Sequence, residues 1–223
     1  MAYSPGNLFS MAIAGLFILW TTASARRALT RYGRFHGTPS AASPTELEPG
    51  TRVMVSGRAS GVAGGGIFSV ASGERAIYVR FEEDLVLFGG GQPEAEHTVK
   101  RAPVFAVTNE AGAVNVETQQ AVFLARMQSA DIRSNLLFVL GTLLGKRYRK
   151  NQLFAILEGD DVRICGTVVE RGGAKVLRSD RRFGPALISN LTDRELRGQT
   201  LVPGLGFVLL IPVLMVFGLA FMK

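Results

Sequence analysis

The chain is poor in the residues that most often carry chemistry. Among 223 residues it has one cysteine, Cys165, and two histidines, His36 and His97. A single thiol excludes an intramolecular disulfide and any zinc site built on several thiolates. Two histidines far apart in sequence leave little for an all-protein transition-metal centre, and no cofactor is expected. Charge is missing at both ends: no Asp, Glu, Lys or Arg lies within Met1–Ala25 or within Leu201–Met222. The 26 glycines and 9 prolines argue against a helical bundle and for a turn-rich β domain.

What is present is a formal net charge of +7, with every acid and all basic residues but Lys223 between the apolar ends. Beside apolar segments, such a balance reads first as attraction to anionic headgroups and second as affinity for nucleic acid. Leu8–Ala25 and Leu201–Met222 each approach the roughly 20 residues that cross a hydrocarbon core. Trp20 sits where an interfacial aromatic belongs, and Pro212 would kink the second segment. Ala23-Ser24-Ala25 resembles a signal-peptide cleavage site, but no basic region precedes the apolar run.

The expected fold class is therefore a membrane protein, two transmembrane α-helices flanking a mainly β (α+β) domain. Its parts are a first helix (1–25), a basic juxtamembrane segment and linker (26–49), a β-rich domain (50–198) and a second helix (201–222). Arg26, Arg27, Arg31 and Arg34 follow the first helix, and Arg194 and Arg197 precede the second. The positive-inside rule then places the domain on the cytoplasmic face of a prokaryotic inner membrane.

Within the domain a pattern recurs. Gly50-x-x-Val53-x-Val55-x-Gly57 returns as Gly159-x-x-Val162-x-Ile164-x-Gly166, each preceded by Leu-Glu. Alternation gives one buried face per strand, and glycines permit the turns that curve a small sheet. The pair reads either as two OB-like half-barrel repeats, each running strand, glycine turn, strand, or as two unrelated hairpins. Further strands are expected over Arg75–Phe88, over Pro103–Glu117 with a turn at Asn109–Gly112, and over Gln120–Arg126. Thr192–Arg197 reads as a short capped helix. Asn135–Arg149 has leucines at helical spacing and a basic end. It predicts one amphipathic helix near 132–149, covering the core or lying on a lipid leaflet. The candidate lipid- or partner-contacting surface is thus Arg26, Arg27, Arg31, Arg34, Lys146, Arg147, Arg149 and Lys150.

No catalytic set is evident. Asp160-Asp161 and Glu82-Glu83-Asp84 are neighbours that alternate faces on a strand. His36 and His97 have no sequence-evident nucleophile partner, and Gly89–Gly91 lacks the Lys-Ser/Thr of a phosphate loop. Cys165 fits an ordinary strand position.

Arg147-Tyr148-Arg149, then Leu157-Glu158-Gly159-Asp160-x-Val162-x-x-x-Gly166-x-Val168, Leu177, Pro185, Leu187-Ile188-Ser189 and the closing apolar segment resemble the membrane-adjacent β domain of the GIDE (MULAN-like) membrane ubiquitin-ligase family. The match covers about Arg147 to Phe221. Ligases of that family carry a zinc-binding RING after the second helix. One cysteine and two histidines cannot build it, so this chain is expected to lack ubiquitin transfer. Two apolar anchors, a basic juxtamembrane surface and the absence of a catalytic set point to a non-enzymatic, membrane-anchored interaction or sensing module, whose partner is a protein, a second copy of the chain, anionic headgroups or a small ligand. A tethered OB-like binder of nucleic acid or nucleotides is the alternative.

Overall fold

The computed structural model describes residues 5–41, 47–63, 65–70, 73–86, 95–131, 148–202, 205–206, 208 and 212. They divide into two units, Met1–Thr38 with Thr192–Lys223, and Pro39–Leu191.

In the first unit, helix α1 runs unbroken over Pro5–Gly37. Helix α2 (Asp193–Leu196) is set by a capping box: the Thr192 hydroxyl accepts from the Glu195 N–H, and the Glu195 carboxylate accepts from the Thr192 N–H. A π-helical turn, Arg197–Leu201, follows and packs against α1. Thr21, Ala25 and Phe35 are buried on α1. Leu16, Leu19, Trp20, Val202 and Leu205 stay exposed.

This unit corrects the expected fold class. Among the described residues no helix is long and apolar enough to cross a membrane. Two transmembrane helices, an integral inner-membrane protein and a cytoplasmic side read from helix flanks are therefore not supported. The physical reason lies in α1. It is not an isolated apolar segment but one helix over Pro5–Gly37. The same helix then carries Thr21, Thr22, Ser24 and the four arginines without a break. Most of Leu201–Met222 lies outside the described residues. The finding concerns helices and says nothing of strands.

The elements described in the second unit are all strands: β1 (Arg52–Gly61), β2 (Phe68–Ser69), β3 (Arg75–Val86), β4 (Ala95–Arg101), β5 (Val104–Asn109), β6 (Gly112–Glu117), β7 (Val122–Leu124), β8 (Arg126–Asp131), β9 (Tyr148–Leu157), β10 (Asp161–Arg171), β11 (Ala174–Arg178) and β12 (Leu187–Ser189). Strands β1, β5, β6, β11 and β10 pair in that order, and β10 pairs back to β1, closing a five-stranded barrel. All contacts in it are antiparallel except β6 with β11. Numbered along the barrel, the order is 1-2-3-5-4-1 with the third and fifth strands parallel, which is OB-type connectivity.

The repeated motif forms the closing seam. Val53 faces Gly166, Val55 faces Ile164 and Gly57 faces Val162, so each copy lies antiparallel on the other. The flanking bonds obey the same two-fold relation. Gly50 N–H donates to Val168 O (2.8 Å) as Gly159 N–H does to Ala59 O (2.7 Å), and Val168 N–H donates to Thr51 O as Ala59 N–H does to Asp160 O, both at 2.9 Å. Gly50 and Gly159 turn the chain at φ +83° and +90°, where other residues are strained. Past the seam the copies differ. β10 and β11 form a hairpin over Gly172-Gly173, whereas β1 leaves the barrel and β2 pairs with β3.

The excursions Val62–Pro103 and Thr118–Asp160 meet in a second sheet, with β9 between β3 and β8 and with β2 and β4 sharing the far edge of β3. One core joins both sheets: Val53, Val55, Phe105, Val107, Val116 and Ile164 fill the barrel, continuous with Ile77, Tyr78, Phe123 and Ile156. Tyr78 stacks on Phe123 with centroids 4.1 Å apart.

Two predictions follow from packing. A Cβ on Gly57 would sit 2.5 Å from Thr108 O and 2.8 Å from Val107 Cγ1, whereas its counterpart Gly166 has its nearest neighbours at 3.5 Å. In thermal or denaturant unfolding, Gly57→Ala should cost roughly 1–3 kcal/mol by overpacking and Gly166→Ala under about 1 kcal/mol. Burial pushes the Tyr78 hydroxyl above the usual tyrosine range, against the opposing pull of Arg80. With the folded-state value the higher, the unfolded chain loses this proton first as pH rises. Stability is then complete below about pH 10 and falls above it. Denaturation of wild type and Tyr78→Phe at about pH 8 and about pH 10.5 should show the steeper alkaline loss in wild type alone.

Candidate functional site

The expected basic surface divides between the units. Arg26 and Arg27 are exposed on α1, and Arg31 and Arg34 are half-buried there. Arg27 Nε donates back to Ala23 O (3.2 Å). Arg149 and Lys150 lie on β9 opposite Leu85 and Asp84, so the amphipathic helix expected near 132–149 does not reach Arg149. Lys146 and Arg147, with the rest of 132–147, lie outside the described residues.

The remaining sequence candidates are structural. Asp160 Oδ2 accepts from Leu157 N–H (3.0 Å) and from Asn190 Nδ2 (2.7 Å), while Asp161 is exposed beside Arg58. Cys165 is fully buried on β10, and its sulfur accepts from Arg52 Nε at 3.2 Å. His36 lies against the Tyr32 ring on α1, and His97 falls on β4. Among the described residues no cluster of His, Cys, Asp and Glu could hold a metal ion.

The structure instead builds a cleft that the sequence did not indicate. Four segments supply it: the end of β4 (Arg101), the entry to β5 (Pro103, Val104), the exit of β6 (Glu117–Gln119) and the end of β10 (Arg171). Its volume is about 360 Å³, at the small end of ligand pockets. It adjoins the second and third barrel strands and the β10–β11 turn, the region where OB barrels take their ligands.

Each wall has a local cause. Just past β4, Ala102 is buried and its N–H donates to Ile77 O (2.8 Å), while Arg101 before it is exposed. Thr118 is buried, and its hydroxyl donates to Ala102 O (2.6 Å) while its N–H donates to Pro103 O (3.0 Å). Ala121 N–H returns to Thr118 O (3.0 Å), and inside that turn Gln120 stands at φ +61°. Gln120 is the one non-glycine residue with positive φ among the described residues, and such a backbone persists where its surroundings impose it. Arg171 Nη1 bonds Glu117 Oε1 at 2.7 Å.

Chemically the cleft offers charge and shape. Guanidinium groups do not release a proton in proteins, and the Thr118 hydroxyl is committed to a backbone carbonyl. Two arginines flanking one small cavity suit carboxylate or phosphate oxygens. Nothing in the sequence marked these residues, because each stands alone in its own segment. No family model, curated protein or solved structure matches the chain.

The Arg171–Glu117 pair is half solvent, with side-chain exposures of 75% and 18%. Such pairs contribute at most about 1 kcal/mol. Arg171→Ala should therefore leave the denaturation midpoint close to wild type, and a large loss would show the arginine to be structural.

Proposed function

We propose that the β unit is a non-enzymatic interaction module that recognises acidic groups of a partner in the cleft at Arg101 and Arg171. The observation carrying this reading is the position of the cleft. A closed barrel with OB-type connectivity has its basic hollow beside strands β5 and β6, with a strained, non-glycine turn at one wall. The resemblance to the β domain of the GIDE family belongs to the same reading. In that motif Gly159 supplies the left-handed turn and Asp160 the carboxylate that holds Leu157 and Asn190, so its residues serve the scaffold and leave recognition to the cleft.

A second reading, an OB-like binder of single-stranded nucleic acid, is favoured by the strand order. It is weakened by the outward side chains of β5 and β6: Ala106, Thr108, Ala113 and Asn115 provide no aromatic platform for bases.

Titration of the full chain with fluorescein-labelled deca-glutamate and with a labelled deca-thymidylate, over about 50–300 mM salt, separates the two. Acidic-peptide binding that weakens at least about fivefold in Arg101→Ala with Arg171→Ala supports the first. Oligonucleotide binding with a steep salt slope, and none to the peptide, replaces it with the second.

A further inference from the structure

We infer that the edge of β4 accepts an extended, acidic strand of a partner protein, which adds to the second sheet and leads into the cleft at Arg101. This deepens the reading of the cleft as a site for acidic groups and rests on it.

The backbone supplies the first argument. Among the described residues β4 pairs with β3 alone. The bond from Ala102 N–H to Ile77 O sets the alternation of the antiparallel ladder, in which hydrogen-bonded and non-bonded pairs take turns. Arg101 opposite Tyr78 and Val99 opposite Arg80 are then the non-bonded pairs. The N–H and C=O groups of Val99 and Arg101 point away from β3 and, among the described residues, form an unfilled ladder of the kind an added strand completes. Thr98, Val99, Lys100 and Arg101 are all exposed, Val99 at 54%.

The other long edge is blunted. On β8 the Arg126 N–H is taken by Asn190 Oδ1 at 2.7 Å, and the register shifts between Met127 and Ser129. A bulge and an occupied donor are standard ways to refuse a strand. Over Thr98–Arg101, β4 keeps an unshifted register with β3.

Charge selects the occupant. Lys100 and Arg101 stand on the edge, and Arg171 stands across the cleft that Arg101 enters. A second copy of β4, overlapped in full about Thr98, would bring a glutamate to Lys100 but only Ala95 to Arg101, so a more acidic strand complements this edge better. A strand alternating acidic and apolar residues, laid with its carboxylates on the face of Val99 and Arg101, sets one carboxylate against Arg101 and the next at the cleft.

The test uses the full chain and a labelled peptide of alternating valine and glutamate, with a valine–lysine peptide as control. Val99→Pro removes an N–H that β3 does not use. It should keep the fold yet weaken acidic-peptide binding at least about tenfold, and Arg101→Glu should do the same. Peptides N-methylated at every second residue, in both frames, repeat the test without altering the protein: one frame should lose at least about tenfold in affinity. They decide the matter if Val99→Pro does not fold. Acidic-peptide binding that ignores both N-methylated frames but falls in Arg171→Ala overturns strand addition and leaves the cleft reading standing. Failure of the acidic peptide to bind, with or without binding of the lysine control, overturns both.

Discussion

The β unit depends on the ladder between β1 and β10. Without it, β1-β5-β6-β11-β10 is an open ribbon whose outer strands expose unpaired backbone groups. With it, the ribbon closes and the alternating residues Val53, Val55, Val162 and Ile164 acquire an interior. The two-fold disposition of the motifs makes closure self-consistent: the glycine that turns each strand in is also bonded to the far end of the other strand. Gly57 then permits a second task. β1 passes from β10 to β5 around Arg58, which pairs with both Asp161 and Thr108, and only a residue without a side chain lets β5 approach that closely.

Closure dictates the second sheet. Once β1 and β5, and then β6 and β10, are fixed in the barrel, the connecting segments must leave it and return. Among the described residues, one excursion gives this sheet β2, β3 and β4 and the other gives it β8 and β9. Together, β3 and β9 pair over Ala76–Val86 and Tyr148–Leu157. Two junctions fasten this sheet to the barrel. One is apolar, the Tyr78–Phe123 stack. The other is polar: the buried Asn190 donates to Ala155 O (3.0 Å) and Asp160 Oδ2, and accepts from Arg126 N–H. It thereby ties β8, β9 and the turn before β10 to the residue following β12. Stripping a buried group of its partners costs about 1–3 kcal/mol, so the junction fixes register as well as adding stability.

Features resting on local rules were legible in the sequence. Period-two alternation and positive-φ glycines marked β1 and β10, Asn109–Gly112 marked the β5–β6 turn, and Thr192 with Glu195 marked the capped helix. Features set by distant partners were not. Tyr148 and Arg149 follow a leucine run at helical spacing, yet they pair with Val86 and Leu85, and no local signal announces that. The uncharged end segments invited a bilayer reading because composition windows ignore continuity, whereas α1 continues through Arg26, Arg27, Arg31 and Arg34 as one helix. The cleft was the least legible feature. Its walls come from four places in the chain and meet only because the barrel closes.

That origin also bears on what the cleft can do. Three polar groups near the barrel serve the scaffold: the Thr118 hydroxyl holds a carbonyl, Asp160 holds a turn and an amide, and Cys165 is buried beside Arg52. What the cleft presents is fixed positive charge with one carboxylate already in place. Glu117 engages Arg171 at 2.7 Å, so an incoming anion must either displace it or bind beside it. A weakly held or singly placed carboxylate gains little from that exchange. A ligand that adds backbone pairing or a second acidic group offsets the loss. On the proposed reading, Glu117 raises the threshold for stray anions and shifts selectivity toward partners that engage more than one feature of the surface at once.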